Sequence, residues 1–333
     1  MQNPGQQGAH PHPLRGYFFI ASAAFLWGVS AALGRAVFTG KLPLTGAALH
    51  PNPIDPLILS QTRTTFSLLV LLLILVGSEG WRRIKMPVRD LAYCFLLGTF
   101  GVAVSNYFYY VAIQRTNVAT AIIVQYTAPV WVLLYVVVRR QQKLSLQKVV
   151  AVGLAIIGIA LLIGILGARS NHAQPLRLDS YGLFAALLAS FSFAFYNVGG
   201  HRILARYDRW RVLIWTLAAA AAFWLIVNPP WKIAAAHYAP AQWLFLFVFS
   251  MISVLGAFSL YFLGLQHLEP TRAIIASCLE PVFSILLAVV LLGEVLRPMQ
   301  SMGIVFVLAA IVIVQRPENG SMENRAVVVE PIE

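Results

Sequence analysis

Long apolar stretches separated by brief polar joints dominate this chain of 333 residues. Ten of these stretches approach the roughly 20 residues that a helix needs to cross the hydrocarbon core of a bilayer. The first half supplies Tyr17 to Leu33, Leu57 to Val76, Leu91 to Ile113, Thr116 to Val138 and Val149 to Leu166. The second half supplies Tyr181 to Val198, Val212 to Val227, Trp243 to Leu265, Ala273 to Leu292 and Met299 to Val314. Backbone groups inside lipid have no water to bond, so each stretch predicts an α-helix, whose hydrogen bonds close within the segment. The expected fold is an all-α integral membrane protein of ten transmembrane helices.

The second half of this pattern repeats the first. Tyr126-Thr127-Ala128-Pro129-Val130-Trp131 is matched without gaps by Cys278-Leu279-Glu280-Pro281-Val282-Phe283, 152 positions later. The same offset pairs Tyr109 with Tyr261, Gln114 with Gln266, and Ala121-Ile122-Ile123 with Ala273-Ile274-Ile275. A duplication of about half the chain, with both copies apolar, is the sequence sign of a transporter built from internal repeats. Five spans per repeat is an odd number, so corresponding helices cross in opposite directions and the two five-helix repeats are inverted. The expected division is a repeat at 17–168, a second at 179–315, and flexible cytoplasmic tails at 1–16 and 316–333.

Composition agrees with a lipid solvent, since hydrophobic residues reach 59% and charged residues only 11%, against roughly 45–50% and 25% in soluble domains. The net charge of +12 would suit nucleic acid, but its placement argues otherwise. Basic residues collect in alternate joints: Arg82, Arg83, Lys85 and Arg89, then Arg139, Arg140, Lys143 and Lys148, then Arg202, Arg206, Arg209 and Arg211. That alternation is the positive-inside bias, and it puts both termini in the cytoplasm; the expected location is the cell inner (cytoplasmic) membrane. The thin basic stretch before Tyr17, with nine more apolar runs after it, reads against a secretory signal peptide. Cys94 and Cys278 lie far apart in different spans, and His201, His237 and His267 show no ligand spacing, so neither a disulfide nor a metal is expected.

Leu279-Glu280-Pro281-Val282, Leu291-Leu292-Gly293-Glu294-Val295-Leu296 and the final apolar helix resemble the second repeat of EamA-type proteins in the drug/metabolite transporter superfamily. Phe25-Leu26-Trp27-Gly28 and Thr62-Arg63-Thr64 are similar to that family's first repeat. The resemblance covers all but the tails. It implies a ten-helix inverted-repeat secondary carrier, commonly an exporter of amino acids or other small metabolites. Arg139-Arg140-Gln141-Gln142 stands where the family pattern has Gly-Glu after the fourth helix.

Charge inside a span is the strongest pointer to chemistry, because an ionised carboxylate at the helix centre costs about 2.5–3.5 kcal/mol on insertion scales. Glu280 therefore faces protein or water, and Ser277, Glu280 and Ser284 at i, i+3 and i+7 form one polar stripe if the helix is continuous. Two roles stay open for Glu280: a proton-binding or substrate-contacting acid, or an acceptor for backbone amides freed near Pro281. Arg63 is the other isolated charge, roughly 9 Å from the outer end of its span at 1.5 Å per residue. Glu280 lies about 10 Å from the inner end of its own by the same rise. Across a core of about 30 Å the two differ by roughly 11 Å in depth, which argues against a direct salt bridge. Arg63 either attracts an anionic group such as a carboxylate, or it snorkels outward or hydrogen-bonds between helices.

Asn106, Tyr110 and Gln114 recur every four residues on one face of the third span, and Gln125 and Tyr126 (fourth), Tyr196 and Asn197 (sixth), Trp215 (seventh) and Tyr261 (eighth) are their counterparts. Aromatic walls with a few polar groups suit an amphipathic small molecule. Interfacial belts and helix-to-helix hydrogen bonds use the same residue types. Pro129 and Pro281 mark kinks at matching places, as hinges or as static spacers. Ala151, Gly153, Ala155 and Gly158 predict close packing of the fifth span, within the chain or in a homodimer.

The expected function is secondary transport of small organic metabolites, most simply outward and by alternating access, with protons as an optional coupling ion. No Gly-x-x-x-x-Gly-Lys-Ser/Thr phosphate loop is present, so ATP drive has no basis, and no cofactor is expected. The competing readings are a multi-span enzyme acting on lipid, which needs converging catalytic groups that the spans lack, and a non-transporting assembly subunit.

Overall fold

The computed structural model describes residues 12–38, 54–80, 84–115, 124–140, 144–162, 179–292 and 298–315, and every regular element among them is helical. The first half contains α1 (Pro13–Phe38), α2 (Pro56–Glu79), α3 (Val88–Leu96), α4 (Val104–Arg115), α5 (Ala128–Val138) and α6 (Leu146–Leu162). The second contains α7 (Ser180–Leu204), α8 (Arg209–Val227), the short α9 (Pro230–Ala234), α10 (Pro240–Ser250), α11 (Ala257–Leu265), α12 (Pro270–Ser277), α13 (Leu279–Leu292) and α14 (Pro298–Gln315). Among the described residues, seven helical stretches are long and apolar enough to cross a membrane: α1, α2, α3 running into α4, α7, α8, α10 running into α11, and α12 with α13. α5, α6 and α14 are shorter apolar helices. Residues 116–123, the expected start of the fourth span, lie outside the described residues.

Large apolar side chains point outward, among them Leu73 (73% exposed), Val290 (78%) and Ile226 (81%). Water would not tolerate so much exposed apolar surface, and lipid does. Helix starts are closed by aspartates: Asp55 accepts from the Leu57 amide at 2.7 Å, and Asp208 from the Trp210 and Arg211 amides at 3.2 Å each. These caps satisfy amides that have no partner in the first helical turn.

Two irregularities recur in the halves. α3 passes into α4 through a π-helical segment, Leu97–Ala103, and α10 passes into α11 through another, Met251–Gly256. Allowing for the 152-residue offset, the two segments overlap. The helix then breaks once in each half, at Thr127 (φ −75°, ψ −4°) before α5 and at Cys278 (φ −63°, ψ −4°) before α13. Pro129 and Pro281 each lie in the first turn of the helix that follows. That position suits proline, because its missing N–H would have no partner there anyway. In both breaks a hydroxyl bonds back to the carbonyl three residues earlier: Thr127 Oγ1 donates to Val124 at 2.7 Å, and Ser277 Oγ to Ile274 at 2.8 Å.

Each half lends its first helix to the other. α1 packs on α11 and α13, whereas α7 packs on α4 and α5; α2 lies against α8, and α6 against α14. Gly28 on α1 allows the approach to α13, since a Cβ there would sit 2.7 Å from Phe283 Cβ and 3.0 Å from the Ser284 amide. In the fifth apolar run Ala151 and Ala155 are fully buried, with α6 packed on α14 inside the chain.

Between α11 and α12, the His267 ring stacks on Phe19 with centroids 6.1 Å apart. Burial, with repulsion from His12 and Arg15, pushes the His267 pKa below its ordinary value. The native state therefore favours the neutral ring, so its contribution is present above the unfolded value of about 6.5 and is lost as pH falls through the lower folded value. His267→Phe keeps the stack and removes the titration. The variant's melting temperature in detergent should fall less than the wild type's between about pH 7 and about pH 5. An identical fall in both proteins would show that His267 does not contribute.

Candidate functional site

The polar groups of four separate segments converge where the helices break. Glu280 sits in the first turn of α13, where the dipole and free amides at a helix start favour a negative charge. The Tyr126 hydroxyl, from the turn before α5, donates to its carboxylate. Arg63 of α2 acts on the same carboxylate through its charge. No direct ion pair joins them; ion pairs among the described residues include Arg206–Asp90, Arg211–Asp208 and Arg272–Glu269. Arg63 Nη2 instead donates to Asn106 Oδ1 of α4 at 2.8 Å. Its Nε is buried and has no hydrogen-bond partner. Glu280, Tyr126, Arg63, Asn106 and Gln125 are all half-buried.

Thr127 anchors the first break, because its hydroxyl also lies 2.9 Å from Ser190 Oγ on α7. The turn that carries Tyr126 is thereby tied to a helix of the opposite half. On the second side, Cys278 interrupts the helical phase between Ser277 and Glu280. Ser277 is buried with its hydroxyl on the Ile274 carbonyl, so the expected stripe of Ser277, Glu280 and Ser284 is divided by the break. Ser277 serves the backbone.

Tyr196, Asn197 and Tyr261 occupy a closed aromatic core. Asn197 Nδ2 donates to the Tyr261 hydroxyl; the Tyr261 ring lies 5.3 Å from Trp27, and that of Tyr196 5.5 Å from Phe262. All three side chains are almost fully buried. Trp27 does more than pack: its Nε1 donates to the Ser253 carbonyl at 3.0 Å, within the π-helical segment, where the backbone register leaves carbonyls in need of donors. Trp215 is elsewhere, donating to the Ile84 carbonyl at 2.8 Å and tying α8 to the joint before α3. The side chains of Tyr110 and Gln114 lie outside the described ones.

Sequence reasoning missed the π-helical segments and the hydroxyls of Thr127 and Ser190. Serine and threonine in apolar helices are common and carry no positional signature. A glycine pair, Gly98 and Gly101, was the available hint for the first segment.

Comparison with known proteins places this architecture. The sequence profile of the EamA-like transporter family matches residues 14–164 and residues 180–316. An uncharacterized inner membrane transporter of Salmonella typhimurium, YicL, is 24% identical over 307 residues, covering 90% of this chain and 95% of that protein. The riboflavin transporter ImpX of Fusobacterium nucleatum is 24% identical over 316 residues, 91% of this chain and 98% of its own. A protein crystal structure shares the fold with a TM-score of 0.69 at 20% identity, over 95% of this chain and 99% of the other. The resemblance carried by Leu279-Glu280-Pro281-Val282 and Phe25-Leu26-Trp27-Gly28 is therefore to the right family.

Proposed function

The chain belongs to the EamA-like transporter family, and from that premise we propose that it is a secondary transporter of small organic metabolites, working outward across the cytoplasmic membrane by alternating access. The cargo class is amino acids, related compounds or drugs. The observation that carries the reading is the meeting of Glu280, Tyr126, Arg63 and Asn106 from four segments at the two helix breaks. Broken helices with polar groups at the junction of two halves are the usual construction of a carrier site.

The layout is ten transmembrane helices in two inverted repeats, with both termini cytoplasmic. Supporting it are the matched π-helical segments, the matched breaks at Thr127 and Cys278, and the exchange of α1 and α7 between halves. The breaks at Pro129 and Pro281 act as the hinges, and Glu280 is the group through which protons couple. Ala128 occupies the equivalent position in the first half, so one half carries the acid and the other does not.

Purified protein reconstituted in vesicles, loaded with a panel of amino acids, riboflavin and organic anions and cations, tests the proposal. At least one compound should leave faster than from protein-free vesicles, and an imposed pH gradient should change its rate. Equal leakage of every compound from both kinds of vesicle would overturn the transport reading. Net efflux compared with uptake in cells lacking or overproducing the protein fixes the direction.

A further inference from the structure

Arg63 brings a positive charge into the bundle and uses only part of its bonding capacity. Nη2 is bonded to Asn106, a neutral acceptor, and Nε is buried with no partner. Leaving a donor unmet when it is buried costs about 1–3 kcal/mol, more on a cation. A guanidinium presents Nε and a terminal nitrogen as a fork that matches the two oxygens of a carboxylate. Asn106 steadies one edge of that fork and leaves Nε for an incoming acceptor.

Glu280 already feels the charge of this cation without pairing with it. The groups facing it are the Tyr126 hydroxyl from the turn before α5, Arg63 from α2, and the Cys278 thiol from its own break; Tyr109 of α4 stands beside Tyr126. Arg63 is the one full positive charge in that set. Resting on the transporter reading above, we infer that the cargo is a small organic molecule bearing a carboxylate that docks on the Arg63 fork, and that its docking makes Glu280 take up a proton. Two carboxylates beside one guanidinium, poorly solvated, leave one negative charge uncompensated. Protonating Glu280 from the open side removes that charge, and the proton leaves again when the cargo does. Tyr126 keeps its hydrogen bond to the acid in either state by reversing donor and acceptor roles. For a cargo whose only charge is that carboxylate, cargo and proton thus travel together with no net charge moved, and export runs on the cargo's own outward gradient.

Three compounds with one ring and different charges make the test: phenylacetate, phenylacetamide and phenethylamine, added to the full-length protein in weakly buffered detergent. Melting temperature reports binding, and a pH indicator reports proton uptake. Phenylacetate should raise the melting temperature and draw about one proton per molecule bound, and the neutral and cationic compounds should do neither. Glu280→Gln should keep the thermal response and lose the uptake. Arg63→Lys keeps the charge without the fork and should bind phenylacetate at least about tenfold more weakly; Arg63→Gln should lose the response. Equal stabilisation by all three compounds, no response to phenylacetate, or undiminished proton uptake in Glu280→Gln would each overturn the inference. Vesicles that carry riboflavin while phenylacetate has no effect would leave transport standing and exclude the carboxylate.

Discussion

Glu280→Gln is expected to lower pH-gradient-driven transport by at least about tenfold, or about 1.4 kcal/mol, while exchange of cargo between compartments at equal pH persists. The substitution is nearly isosteric, so the first turn of α13 and the hydrogen bond with Tyr126 can be retained. What it removes is the proton. Two readouts separate coupling from folding: the gradient response, and the melting temperature with gel-filtration profile. If gradient response and exchange both survive, Glu280 braces the break at Pro281 and carries no proton. If the protein fails to fold, Tyr126→Phe provides the second route, since it leaves the acid in place and removes its hydrogen-bonding partner. A coupling role predicts altered pH dependence in that variant, and a bracing role predicts only lower stability.

Gly98→Val should cost about 3 kcal/mol or more and collapse the folded yield. A Cβ at Gly98 would stand 2.2 Å from the Thr216 carbonyl oxygen and 2.8 Å from Ala219 Cβ. The obstacle is backbone of α8, which cannot rotate aside as a side chain could. Because Gly98 lies in the π-helical segment, the clash would push α3 and α4 away from α8 and misplace Asn106. Gly77 supplies the control, since a Cβ there meets nothing within 4 Å. Gly77→Ala should be neutral or stabilising by up to about 1 kcal/mol through helix propensity. Detergent-extracted folded yield by fluorescence gel filtration, read beside melting temperature, distinguishes the two sites. Similar behaviour of both glycine variants would mean that α3 and α8 are not packed as closely as their backbones indicate.

Much of the site could be named before any coordinates. Glu280 and Arg63 declared themselves because charge is rare in apolar runs and expensive in lipid. Asn106 and Tyr126 also stood out, but only as two of several polar or aromatic residues that packing could equally explain. Trp215, Tyr196 and Ser277 looked the same in sequence and turned out to serve the joint before α3, the aromatic core and the helix break, respectively. The prolines pointed to the right places, since a proline can bend a helix or begin a new one. At Thr127 and Cys278 the backbone stays in the right-handed helical region with ψ close to zero, a short turn ahead of the next helix.

By itself the sequence determined the solvent, the helical character of the runs, the internal duplication and the family, all of which depend on the order of residue types along one strand of chain. Hydropathy reports what surrounds a helix on average, and an ungapped offset reports shared ancestry of two segments. Neither reports which helices touch. Tertiary structure alone decided that Arg63 would meet Asn106 and feel Glu280 without pairing with it, that Tyr126 would hold the acid from the opposite half, and that α1 and α7 would exchange partners. The physical reason is that such meetings depend on how closely backbones approach, as at Gly28, and on where helices break, as at Cys278. Both depend on neighbours distant in the sequence.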